Sequence, residues 1–198
     1  MIHPHTELQF INEEIGYGVV AKKLIKKGTI TWAFDQLDRE YTPAQIGAMD
    51  EVYRDVLMTY TFRNRKGNHV FCWDHGRYVN HSFRPNCMAT AYNFEIAIRN
   101  IQPGEQLTND YGYLNIIEAF RPYPEGTRRE VVYPDDLIRY SGDWDRKILP
   151  AFLKIRKTEQ PLGRVIDPEV WEKINAVIDG KVAMESIRAC YFDPDAEK

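Results

Sequence analysis

Two stretches decide how this chain is read: Arg77-Tyr78-Val79-Asn80-His81-Ser82-Phe83-Arg84-Pro85-Asn86-Cys87 and, shortly after it, Gly104-Glu105-Gln106-Leu107-Thr108-Asn109-Asp110-Tyr111-Gly112-Tyr113. Asn80-His81-Ser82 carries short polar side chains between strand-like segments, and Pro85 stiffens the exit. Such a loop can lay its backbone against a flat heteroaromatic ligand and present donors and acceptors to it. An isolated loop of this kind could equally satisfy only its own backbone. What needs explaining is the whole run, preceded by Gly16-Tyr17-Gly18 and followed by the GEQLTNDYG segment, in that order.

Outward from these stretches the chain divides in two. Toward the amino terminus, Val19-Val20-Ala21 follows the first glycines, and Thr29-Ile30-Thr31-Trp32-Ala33-Phe34 follows the turn Lys26-Lys27-Gly28, as short strands between glycine turns do. Thr42-Pro43-Ala44-Gln45 predicts a helix start with a capping box. Ile46, Met49, Tyr53, Val56, Leu57 and Tyr60 behind it keep helical spacing, which predicts one inserted helix. Strand character returns at residues 69–73, 88–92 and 95–99, where Ile96 and Ile98 alternate with Ala97. From about Pro134 the signals become helical. Asp167-Pro168 opens a helix with Val170, Ile174, Val177 and Ile178 on one face, and Gly180 stops it. The expected fold is mostly β with helices: several short, mainly antiparallel sheets plus a helical C-terminal extension. The expected division is residues 1–115, with an insert at about 35–68, followed by residues 116–198.

The bulk numbers narrow the function classes. A chain of 198 residues supports one well-packed domain or one with a small appendage. With 43% hydrophobic and 28% charged residues it has the balance of an ordinary globular protein. A net charge of −3 supplies no basic field, so direct nucleic-acid binding is not expected. Cys72, Cys87 and Cys190 form no CxxC pair and no zinc-spaced cluster, and they read as reduced, mostly buried thiols. Met1-Ile2-His3-Pro4-His5 opens no secretory signal, and no apolar run reaches bilayer length. The expectation is a protein away from membranes: cytoplasmic if the source is bacterial, with export to a host or a nuclear location left open.

The two motif stretches, with Gly16-Tyr17-Gly18 ahead of them, resemble the SET domain, a protein-lysine methyltransferase family that uses S-adenosylmethionine. The resemblance covers about residues 8–113 and is nearest to small stand-alone, bacterial-type SET proteins. It implies a fold built around a pseudoknot, in which the Asn80-His81 segment threads under a neighbouring loop. It further implies that Gly16, Tyr17 and Gly18 lie against the methionine part of the cofactor, glycine removing the β-carbon that would block the approach. Asn80 and His81 would hold the adenosine part, Tyr78 would be a further cofactor contact, and Tyr111 would line the methyl-transfer pore as the catalytic residue. S-adenosylhomocysteine would be the product, and no metal is expected.

The chain departs from many members of that family, which close the cofactor pocket with a zinc site. Phe83 stands where the first cysteine would fall, and Pro122, Pro124 and Arg129 where the downstream three would. The segment after Tyr113 must then supply the closing surface, with Phe120 and Tyr123 as the cofactor contacts and Tyr133 and Trp144 as further aromatic candidates. Acidic residues of the insert, Asp35, Asp38, Glu40, Asp50, Glu51 and Asp55, could attract a basic peptide such as a histone tail. Tyr60, Phe62, Phe71 and Trp73 are candidate walls of the lysine channel. The implied partner is a lysine-containing protein, histone or other. Two rivals remain: a catalytically silent SET domain that binds a peptide or partner, and a regulatory module that binds cofactor without a lysine channel.

Overall fold

β-Branched and aromatic residues set between glycine turns make the front of the chain strand. In the computed structural model, which describes residues 1–195, β1 (Thr6–Asn12) and β2 (Gly16–Ala21) form an antiparallel hairpin with Leu8 opposite Val19. Gly16 takes φ +73° at the hairpin turn, a conformation that suits glycine. Two three-stranded antiparallel sheets follow. In one, β9 (Phe94–Ala97) lies between β3 (Ile30–Ala33) and β8 (Cys87–Ala89). In the other, β6 (His69–Phe71) lies between β4 (Arg39–Tyr41) and β5 (Thr61–Arg63). The last pair, β7 (Asn80–His81) and β10 (Thr108–Asn109), is parallel.

The single helix expected in the insert is two. Thr42 and Gln45 form the expected capping box on α1 (Pro43–Gly47). The chain then breaks, and the Asp50 side chain accepts the Val52 N–H to start α2 (Glu51–Tyr60). Periodicity ran through the break because the apolar spacing does not register a second cap. Only Ile46 and Leu57 of that apolar series are buried, whereas Tyr53 is 65% exposed. The insert is therefore a thin layer.

The carboxy-terminal part is helical as expected. α3 (Asp136–Phe152) packs along β9, and α4 (Pro168–Ile178) starts at Asp167, whose carboxylate accepts the Glu169 N–H at 2.9 Å. α4 ends in a Schellman motif: Lys181 N–H reaches Ala176 O, Gly180 N–H reaches Val177 O, and Gly180 sits at φ +72°. Its inward face carries Ile174 and Val177.

One hydrophobic cluster draws on both halves of the chain, joining Ile30, Met88, Phe94 and Ile96 to Leu137, Ile148, Phe152 and Ile174. The Phe94 and Phe152 rings stack at 6.0 Å. Each such fully buried side chain contributes roughly 1.5–3 kcal/mol, so the helical extension completes the core of the sheets. A second cluster, including Val19, Trp32, Val79, Cys87 and Leu107, lies beneath the two motif stretches. The cysteines are free, with Cys72 and Cys87 buried and Cys190 partly so. Burial pushes the Cys190 thiol up to about 11, which keeps it protonated and unreactive at neutral pH. Among the described residues no helix is long and apolar enough to cross a membrane.

Candidate functional site

The parallel pairing of β7 with β10 brings the two motif stretches side by side, with Asn109 in register with His81. Ser82 N–H extends the pairing to Asn109 O at 2.8 Å. Asn86, 1% exposed, acts as a substitute strand: its Nδ2 donates to Gln106 O at 2.8 Å and its Oδ1 accepts the Thr108 N–H at 2.9 Å. Leu107 N–H donates to Val19 O, which ties the hairpin to the same place. Three stretches far apart in sequence thus meet over one apolar cluster.

At the hairpin end, Asn80 Nδ2 donates to Tyr17 O at 3.0 Å and to Gln106 Oε1 at 2.6 Å. Among the described residues no donor reaches its Oδ1. A β-carbon on Gly18 would fall 2.5 Å from Gln106 Oε1 and 2.9 Å from Asn80 Nδ2, so glycine leaves room for these two side-chain ends to meet beside the backbone. Gln106 was missed as a site residue. It stood in the quoted motif, but only the fold turns its side chain toward Asn80. Tyr17, half exposed, meets Phe10 and Tyr78 edge-on at 5.7 and 6.4 Å, and Tyr78 meets Tyr60 at 5.2 Å.

His81 Nδ1 accepts the Tyr111 N–H at 3.1 Å, so the neutral ring carries its proton on Nε2. That Nε2 is buried, with no partner among the described residues. Burial pulls the imidazole down to about 4, helped by the Arg129 charge and opposed by Glu125. Phe83, Tyr111 and Phe120 surround the ring at 4.6, 5.4 and 5.7 Å. Phe120 is held there by a two-way backbone bridge to Val132. Among the described residues the other aromatics proposed to close the pocket make no ring contact with His81. Tyr123 is 58% exposed, Tyr133 lies under the Arg139 guanidinium, and Trp144 is buried against Tyr113.

Tyr111 stands at the start of a 3-10 turn, Tyr111–Tyr113, capped by Asp110. Its hydroxyl donates to Val79 O at 2.8 Å. Burial and the nearby Glu95 raise the phenol to about 12, so it stays protonated at neutral pH. Tyr111 and Val79 border a cavity of about 230 Å³ walled also by Trp32, Tyr60, Phe62 and Glu95. Tyr60 and Phe62, two of the candidate channel walls, line this cavity. Phe71 and Trp73 do not line this cavity, and Trp73 turns its indole N–H to Asp35 at 3.1 Å. A second cavity of about 320 Å³ adjoins the first and shares Trp32, Phe62 and Glu95 with it. Arg63 braces their common wall through Asn115 O at 2.6 Å and Ile116 O at 2.9 Å. Asn115, at φ +50°, ties that wall to the tail through Cys190 O and the Phe192 N–H.

Two of the positions where cysteines would fall touch each other. The Arg129 guanidinium lies 4.8 Å over the Phe83 ring and 4.7 Å over Tyr140, and pairs with Asp110 and Asp136. Burial works against its charge, but the two carboxylates outweigh it and hold Arg129 above its usual range. For Asp110 burial outweighs Arg129, leaving that carboxyl above the ordinary range. Glu125 completes the clasp by accepting from Ser82 Oγ at 3.0 Å and from Phe83 N–H at 3.1 Å. Among the described residues no group of three or more His, Cys, Asp or Glu could hold a metal ion.

The acidic insert is less available than its composition suggested. Asp35 and Asp38 are buried, bonding the Leu37, Trp73 and Asp35 backbone or indole N–H groups. Asp50 serves as a helix cap. Inward-facing carboxylates satisfy local N–H groups, which a count of charges cannot reveal.

A glycine-lined approach, the free Asn80 Oδ1, the unpartnered His81 Nε2 and the adjoining aromatic rings fit a ligand with a charged end and a flat heteroaromatic end. A family model described as SET domain matches residues 16–112, from the first glycine of Gly16-Tyr17-Gly18 to the residue after Tyr111. No curated protein matches the chain.

Proposed function

Since this chain is a SET-domain protein, we propose that it transfers a methyl group from S-adenosylmethionine to a lysine side chain of a protein, releasing S-adenosylhomocysteine. SET domains are generally protein-lysine methyltransferases. One observation carries the proposal: Tyr111, whose backbone N–H donates to His81 Nδ1, lines a largely apolar cavity together with Val79, the residue before Asn80.

S-adenosylmethionine, when bound, supplies a methyl group on a positively charged sulfur. In the proposed site Gly16, Tyr17 and Gly18 lie against its methionine end, with Gln106 as a polar contact. Asn80 and His81 hold the adenosine part with Tyr78 and Phe120 beside them, and Tyr123 takes its place in the closing segment after Tyr113. Residues 1–115 form the SET unit and residues 116–198 the closing and supporting extension. The lysine nitrogen must be neutral to react, and its ordinary pKa is about 10.4. Apolar walls favour the neutral amine by desolvation. Tyr111, protonated and anchored on Val79 O, positions the reacting nitrogen rather than taking its proton. A lysine-rich protein such as a histone suits a chain of net charge −3. We propose a cytoplasmic location for the protein.

The test uses isotopically labelled S-adenosylmethionine with core histones and a bacterial lysate, comparing the protein with Tyr111→Phe. Label on lysine should fall roughly 10- to 100-fold in the variant, as expected for loss of one positioned hydroxyl. Label that ignores the variant would remove Tyr111 from its role. Cofactor-product binding without label from any protein would favour the silent, partner-binding reading.

A further inference from the structure

Glu95 is a carboxylate in an unusual place. It sits on β9 opposite Trp32 and lines both adjoining cavities. Of the described residues lining the Tyr111 cavity it is the one acid. Asn109 Nδ2 donates to its Oε1 at 2.6 Å, and among the described residues no cation pairs with it. Asn109 itself is 4% exposed, and its buried Oδ1 has no partner among the described residues. The buried Trp32 indole N–H likewise has none among them. Glu95 is thus a partly buried acid with incomplete polar surroundings at the edge of a largely apolar cavity. Its charge is costly to desolvate unless a counter-charge arrives.

On the reading of the cavity as a lysine channel, we propose that Glu95 receives the substrate ammonium and takes its proton before methyl transfer. The step balances. One ammonium N–H bond breaks, its electron pair stays on nitrogen, and an O–H bond forms on Glu95. A cation and an anion become a neutral amine and a neutral acid, the pair an apolar channel favours.

The groups facing Glu95 are consistent with that role. The Arg63 guanidinium is committed to the Asn115 and Ile116 carbonyls, and Arg77 to those of Cys72, Trp73 and Asp74. Burial lowers His69, which shares a hydrogen bond with Thr61 and stays neutral at pH 7. Tyr111 and Tyr113 are both raised, Cys72 and Cys87 are buried thiols, and the Met1 amino group pairs with Asp35. The second cavity adds Glu40, Arg65, Lys66, Lys173 and Glu185 on its own walls. Burial raises Glu95 to about 7, against the Asn109 hydrogen bond and the Met1 charge. A base poised there exchanges protons at working pH. The remaining gap to lysine, roughly three pH units, is what desolvation of the ammonium must remove.

Glu95→Gln keeps the shape and an acceptor for Asn109 while removing the charge. The Asn109 side-chain amide signals in NMR should titrate near pH 7 in the parent protein and not in the variant. At pH 8, n-butylammonium, the lysine side chain alone, should shift those signals in the parent protein but not in Glu95→Gln, and n-butanol should shift them in neither. In the labelling assay kcat/KM should rise through pH 7 in the parent protein. In the variant it should fall roughly 10²-fold at pH 8 and keep rising toward the pKa of lysine itself. Asn109 signals that ignore the ammonium, or an unchanged pH profile in an active Glu95→Gln, would overturn the proposal. A parent protein whose signals respond to the ammonium but which labels no lysine would instead overturn the methyl-transfer reading and the proton step with it, leaving an ammonium site.

Discussion

Replacing Arg129 by methionine should expose how this protein closes its site. The guanidinium lies between the Phe83 and Tyr140 rings and pairs with Asp110 and Asp136, whose side chains are 3% and 0% exposed. Methionine keeps much of the stem and its packing on the two rings, so the loss reports mainly the charge. Removing one partner from a buried ionic cluster costs about 3–5 kcal/mol, because the remaining charges stay buried. At about 2–4 °C per kcal/mol for a chain of this size, the melting temperature should fall by roughly 6–20 °C. The pH dependence has a definite sign. Asp110 already stands above its ordinary value near 3.8, and without Arg129 it rises further. A raised carboxyl contributes stability that is fully present below 3.8 and lost as pH rises through the folded pKa. The deficit of Arg129→Met against the parent should therefore be largest at neutral pH and shrink toward pH 4. Thermal melts followed by circular dichroism at pH 7.5 and 4.5 measure both effects. Adding Asp110→Asn and Asp136→Asn should recover most of the loss, since no charge is then stranded. A deficit under 2 °C at pH 7.5, or one that grows on acidification, would refute the buried cluster as the closing element.

Two further outcomes test the neighbouring parts of the site. His81 is held near 4 by burial, so between about pH 6.5 and 4 the unfolded chain binds a proton that the folded one refuses. Stability should fall on acidification across that window, by roughly 3 kcal/mol in total from this residue, and comparison of urea melts with His81→Gln isolates the slope. Equal slopes would show that the ring is accessible to protons in the fold. Gly18→Ala would place a β-carbon 2.5 Å from Gln106 Oε1, the movable end of a side chain. The fold should lose no more than about 1 kcal/mol, while calorimetric affinity for S-adenosylhomocysteine should drop about tenfold, or about 1.4 kcal/mol. Unchanged affinity would separate the glycine approach from cofactor binding.

Much of the architecture was legible because it is written locally. The Thr42–Gln45 capping box, the Asp167 start and Gly180 stop of α4, and the glycine at the hairpin turn each depend on residues within a few positions. The split between α1 and α2 escaped because the apolar spacing carried across Asp50. The motif residues were recognisable as a group, and the fold brings Gly18, Asn80, His81, Tyr111 and Phe120 together. Tyr123 and Trp144 show the limit. Both are aromatics of the same segment, yet one faces solvent and the other is buried against Tyr113.

The sequence by itself determined which short patterns cap, turn and alternate, and which polar residues stand together in the two motif stretches. Only the tertiary structure decided that Gln106 meets Asn80, that Arg129 spans Asp110 and Asp136 where a cysteine would have fallen, and that Glu95 reaches Asn109 on the cavity wall. Caps and turns are chosen by backbone geometry over one or two turns of chain. Buried polar partners are chosen by which side chains the packed core leaves within 3 Å of one another, and no local pattern records that distance.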